Sequence, residues 1–244
     1  MGLAKAYLSY LYGNVTRSYE KALISSLEKN PKAILVDAGC WDGANTLRFV
    51  QATGAKAIGL DLVESAVAST RRKGIEAMVA DLNKRIPLKD STADVVMVNH
   101  TIEHLYNTAG FVSEIYRILK PGGYALIGTP NLASWHNIFA LLLGRQPFSG
   151  PTIDLSEKSM VSGMKQEKNR RLVSGLGLKA EDALGHIVVI AYKTLLKLLR
   201  SKGFIVEKAY GFGYYPLPPF IAGLLASLDK SHSHYVLVKV RKPA

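Results

Sequence analysis

Apolar runs that stop at a polar residue recur through the first half of the chain. Residues 34–36 are Ile, Leu and Val and stop at Asp37; 57–60 stop at Asp61; 77–80 stop at Asp81. Residues 93–98 stop at Asn99 and His100, and a fifth run, 124–128, leads to Thr129, Pro130 and Asn131. Short apolar runs bounded by turn signals read as buried strands. Between them the period becomes helical, around Leu47, Phe49 and Val50, over 66–72, and at Phe111, Val112, Ile115, Ile118 and Leu119. The last of these segments stops at Lys120, Pro121 and Gly122. Strands alternating with helices predict one parallel sheet with helices on both faces, because right-handed crossovers put them there.

Residues 5–29 carry aromatic and aliphatic positions spaced by Lys and Glu and read as a helix, which Asn30 and Pro31 stop. After Asn131 the pattern loosens. A stretch this long without a clean strand is more than a connecting loop in a compact domain. Residues 165–171 are a charged run. A helix resumes at 192–201 and closes at Lys202 and Gly203, and residues 204–209 and 235–240 read as the final two strands. There are no internal repeats.

The turn after the first run holds the most chemistry. Asp37 is followed by Gly39, Cys40, Trp41 and Gly43. A strand breaking into glycines and then a helix is how an α/β domain opens a nucleotide pocket. A dinucleotide needs G-x-G-x-x-G so that a pyrophosphate can sit on the helix N-terminus. Here Trp41 stands at the middle glycine position and an acid precedes the glycines. That suits a ligand without a pyrophosphate whose positive end seeks a carboxylate.

At these residues the chain resembles the class I S-adenosylmethionine-dependent methyltransferases, of the methyltransferase type 11-like group. The matching positions are Val36 to Gly43, Asp61, the Asp81–Leu82 pair, Ile102–Glu103–His104–Leu105, and Leu119 to Gly123. Trp41 departs from the family's usual glycine. The resemblance implies an α/β, Rossmann-like, seven-stranded and mostly parallel sheet with an antiparallel last strand and an insertion after the fifth strand. The last two strands would form an antiparallel hairpin at the sheet edge. It implies one methyltransferase domain over 1–244, with 1–30 as an N-terminal helical segment and 132–190 as a substrate-side insertion. It also implies S-adenosyl-L-methionine as cofactor.

Under this resemblance each polar strand end has a role. Asp37 would hold the donor's amino group, directly or through water, Gly39 and Gly43 would let the backbone approach its methionine part because no Cβ intrudes, and Cys40 and Trp41 of the same turn would also contact the donor. Asp61, with Leu62 beside it, would accept hydrogen bonds from the ribose hydroxyls. Asp81 would accept the adenine amino group, while Leu82 would pack on the ring and offer its N–H. Asn99 and His100 would lie where donor and acceptor meet. Methyl transfer is an in-line displacement that mainly needs alignment. If the acceptor is a hydroxyl, a base helps, and His104 is the candidate, with an ordinary pKa of about 6.5. Trp135, His136, His186 and Tyr192 could line the acceptor site, whereas His232 and His234 read as surface or turn residues. No His, Cys and carboxylate group has zinc-ligand spacing along the chain, so no metal is expected. No G-x-S-x-G elbow is present for a serine hydrolase.

Composition narrows the setting more than the substrate. Cys40 is the only cysteine, so no intrachain disulfide can form, and a reducing, cytoplasmic location fits. Neither a signal peptide nor a spanning helix is expected. The net charge of +12 is uneven, with 11 Lys and Arg against 10 acids over 31–130 but 9 against 2 over 193–244. A basic region can face nucleic acid, anionic lipid or only solvent. The aromatic insertion and the run 211–220 suit a small-molecule, glycan or lipid-linked acceptor, and residues 220–228 could touch a membrane surface. RNA methylation is the second reading, not favoured because no Asn/Asp-Pro-Pro-Tyr tetrad follows the fourth strand. A donor-binding regulator without catalysis is the third.

Overall fold

The computed structural model describes residues 2–151 and 185–244; the charged run 165–171 lies outside the described residues. Seven strands form one sheet: β1 (Ile34–Ala38), β2 (Lys56–Asp61), β3 (Glu76–Val79), β4 (Ala93–Asn99), β5 (Leu119–Pro130), β6 (Ile205–Phe212) and β7 (Tyr235–Arg241). Their order is β3-β2-β1-β4-β5-β7-β6. β7 runs antiparallel to both of its neighbours, while the other pairings are parallel. The last two strands form an antiparallel pair at the sheet edge, as expected, but without a tight hairpin turn. A helical connection separates them, and β7 slots between β5 and β6, leaving β6 outermost.

The period of two along each strand splits the core into two layers. Val36, Val96 and Ile127 face α4 (Thr108–Ile118) and α6 (Tyr192–Ser201) through Phe111, Ile115, Leu195 and Leu199. Their chain neighbours Leu35, Val95 and Leu126 face the opposite side. There they meet Tyr19 and Leu23 of α1 (Leu3–Ser25) and Phe49 of α2 (Ala44–Thr53). The N-terminal helix is thus part of the core. α3 (Glu64–Arg72) follows β2, α5 (Trp135–Leu142) follows β5, and α7 (Pro219–Leu228) lies between β6 and β7. Asn107 caps α4, its side-chain oxygen accepting the Gly110 N–H at 3.1 Å. No helix among the described residues is long and apolar enough to cross a membrane.

This order places β1 and β4 at the centre, where chain connections leave in opposite directions. The crevice beyond the carboxyl ends of such strands is where open α/β sheets bind ligands. Asp37, Asp61 and Asn99 all come from strands that end there.

Candidate active site

The turn after β1 is shaped by close approach. Gly39 has φ 91°, and a Cβ on it would lie 2.2 Å from the Thr101 hydroxyl oxygen. That hydroxyl donates to the Ala38 carbonyl at 2.9 Å, which closes β1 against the segment after β4. Gly43, at φ 80°, begins α2 against Thr70. Trp41 takes the left-handed conformation, φ 48°, and its ring packs on Ala66. Its N–H donates to Asp61 Oδ2 at 2.8 Å, and the Val63 N–H donates to Oδ1 at 3.0 Å. The glycine turn and the acid of β2 are therefore one structure. Cys40 is buried, and burial pushes its thiol up to about 12, so it is an inert packing residue.

Asp37 is 2% exposed and accepts the Thr46 hydroxyl at 2.5 Å. Burial raises its carboxyl to about 7; the Thr46 hydrogen bond opposes this, and the nearby Asp61 charge adds to it. Burial also raises Asp61, opposed by backbone N–H groups. Asp81 lies near the surface. Partial burial works against its charge, but hydrogen bonds from Asn83 and Lys84 hold its carboxyl below the usual range. Leu82 is buried in the core cluster that also holds Ile86 and Ile102. Leu62, next to Asp61, is 49% exposed.

Beside these groups is a cavity of about 180 Å³ lined by Tyr12, Thr16, Tyr19, Glu20, Asn45, Arg48, Asn99, His100 and Tyr235. Asn99 Oδ1 accepts the Tyr19 hydroxyl at 2.5 Å. His100 has φ 56°, packs edge-on against Tyr235 and places Nδ1 3.2 Å from Glu103 Oε1. Glu103 is fully buried, and Thr129 donates to its other oxygen at 3.1 Å. Burial works against its charge, but the His100 hydrogen bond and charge hold its carboxyl low. Another cavity, about 100 Å³ between α1 and α7, is lined by Leu11, Val15, Tyr214 and Ala222 and has no carboxylate or imidazole in its wall.

His104 does not line the cavity beside Asn99. Its Nδ1 lies 3.0 Å from the Gly185 carbonyl, and its ring meets that of His186 at 5.1 Å. His232 and His234 are less peripheral than the sequence suggests. His232 stacks on Trp135 at 4.6 Å, and His234 Nδ1 lies 3.1 Å from His136 Nε2. Burial lowers His136 to about 4. Tyr192 begins α6, its N–H donating to Asn131 Oδ1 at 3.0 Å. Tyr19, Thr46, Thr101 and Tyr235 escaped the sequence reading. Tyr19 lies in a helix that gave only an amphipathic signal, and none of the four belongs to a motif.

A glycine turn held to the acid of the next strand, at the switch point of a mostly parallel sheet, defines a Rossmann-like nucleoside-binding domain. Residues 36–127 match the family model described as a methyltransferase domain. A protein of Mycolicibacterium smegmatis named a probable S-adenosylmethionine-dependent methyltransferase is 31% identical over 157 residues, covering 61% of this chain and 58% of that protein. The ubiquinone/menaquinone biosynthesis C-methyltransferase UbiE of Cereibacter sphaeroides is 28% identical over 123 residues, 47% of this chain and 49% of that one. The chain thus spans only about half the length of such relatives. The crystal structure of an S-adenosylmethionine-dependent methyltransferase from Mesorhizobium loti shares the fold, with a TM-score of 0.60 at 20% identity, over 91% of this chain and 96% of that one. Residues 36–127 are thus similar to a methyltransferase domain, and the chain resembles relatives named S-adenosylmethionine-dependent methyltransferases.

Proposed function

We propose that this chain transfers a methyl group from S-adenosyl-L-methionine to an oxygen or nitrogen of a small-molecule, glycan or lipid-linked acceptor. The observation that carries this is the Asp61 carboxylate, held by the Trp41 and Val63 N–H groups against the glycine turn. Two donors at 2.8 and 3.0 Å fix its direction, and a carboxylate has about four lone-pair positions, so two ribose hydroxyls can still be accepted. Asp37 favours a cationic amino group nearby, through water. Asp81 and the Leu82 N–H face the base, and Leu62 supplies apolar cover.

The bound donor supplies a methyl group already activated on a sulfonium sulfur. The chain's task is then alignment and exclusion of water. His100, rather than His104, is the imidazole placed on the cavity wall, and buried Glu103 fixes its ring. It would orient the acceptor's reacting atom. Segment 132–190 would form the acceptor side, within one domain spanning 1–244. The buried lone thiol fits a cytoplasmic setting. The exposed apolar residues Phe220, Leu224 and Leu228 of α7 would favour an acceptor carried near a lipid surface.

The test is transfer of label from methyl-labelled donor into fractionated extract. The expected outcome is label in the small-molecule, glycan or lipid fraction, on oxygen or nitrogen, lost in His100→Ala while donor affinity stays within twofold. Label on carbon would extend the C-methyltransferase character of the named relative to this chain instead. Label confined to RNA would contradict the proposal.

A further inference from the structure

We propose that Glu103, His104 and His186 form a binding site for a divalent transition ion, with zinc as the best fit. One ligand atom from each of the three lies within 4.8 Å of the others. The chain brings them together by folding, not by spacing: the Ile187 and Val188 N–H groups donate to the Glu103 carbonyl at 2.8 and 3.1 Å, pinning His186 beside the single-turn helix Ile102–His104.

The hydrogen bonds around the trio set its chemistry. His104 Nδ1 faces the Gly185 carbonyl at 3.0 Å, and His186 Nδ1 faces the Ser149 carbonyl at 3.1 Å. A carbonyl only accepts, so each Nδ1 carries the proton and each Nε2 carries the lone pair. A backbone carbonyl behind the far nitrogen is how metal-binding imidazoles are oriented. Glu103 is steadied by Thr129 and His100, as ligating carboxylates are, and keeps lone-pair capacity beyond those two bonds. Two imidazoles and one carboxylate are a donor set that zinc accepts with a fourth position left open. Zinc bonds of about 2.0–2.1 Å place tetrahedral ligand atoms about 3.3 Å apart, so the two half-exposed imidazoles must close on the buried carboxylate.

The site adjoins the proposed active site through His100, which touches Glu103. An open position there would take an acceptor oxygen, a step that rests on the proposed methyl transfer. Ion binding itself does not rest on it, so the test uses neither donor turnover nor acceptor. The tag-free full chain, stripped with chelator, is titrated with Co²⁺ and then Zn²⁺ by absorbance and calorimetry. The expected result is one ion per chain, visible cobalt bands of a four- or five-coordinate site, and displacement by zinc. His104→Ala and His186→Ala should each weaken binding at least tenfold, with circular dichroism and affinity for S-adenosylhomocysteine unchanged. His186→Gln serves the same purpose if an alanine variant fails to fold. His136→Ala, in the neighbouring histidine pair, should leave ion binding intact. Absence of one-to-one binding, binding that survives the His104 and His186 substitutions, or loss in His136→Ala would overturn the proposal.

Discussion

Asp61 and Asp37 sit one strand apart and behave differently. Asp61 has its oxygens directed by backbone N–H groups, so its loss removes hydrogen bonds to a ligand from a charged acceptor. Asp61→Ala is expected to weaken donor binding by about 1–3 kcal/mol, measured by calorimetry; unchanged affinity would remove it from the site. Asp37 is buried, and its carboxyl is raised from 3.8 to about 7. Between those values the folded chain keeps a proton that the unfolded chain releases. Its stabilising contribution is therefore full below pH 3.8 and is lost as pH rises through about 7. Asp37→Asn, which stays neutral, should melt at a higher temperature than the parent at pH 8 and at a similar one near pH 4. Its donor affinity should be lower at pH 8. Equal melting of the two at pH 8 would show that Asp37 carries no such strain. Both acids were legible in the sequence because they end apolar runs. Their partners Thr46 and Trp41 were not, since a hydroxyl in a helix and a backbone N–H leave no pattern.

At the scale of elements, the strands and most helices were legible because the sheet is buried on both faces and punctuated by glycine and proline. β7 was read in the right place and against the right partner, β6, whereas its second neighbour, β5, was not legible, since local sequence does not say where a returning strand enters the sheet. The N-terminal helix was legible as a helix and not as a wall of the cavity. It packs so close to β5 that a Cβ on Gly128 would lie 1.7 Å from the Tyr19 hydroxyl oxygen. Gly128→Ala must displace Tyr19 and break its bond to Asn99. We expect a loss of about 1–3 kcal/mol in denaturant unfolding, with weaker donor binding. Combining it with Tyr19→Phe should cost less than the sum of the single changes, because the overlapping oxygen is gone. Additive effects would mean that α1 does not seat there.

Across the whole molecule, charge and chemistry are separated. The sheet segment is near neutral, and the excess of basic residues lies in the C-terminal part. The strand ends converge on one crevice, closed by α1 on one side and continuous through His100 with the Glu103, His104 and His186 trio. What sequence could not supply was this convergence of distant segments, which depends on β7, α1 and the segment from His186 meeting at the carboxyl end of β4. The most direct measurement is a crystal structure of the chain with S-adenosylhomocysteine. The ribose hydroxyls should lie on Asp61, the amino acid end toward Gly39 and the water or hydroxyl linking to Asp37, and the sulfur toward His100. Density for the nucleoside away from the β1, β2 and β4 ends, with Asp61 untouched, would contradict the account.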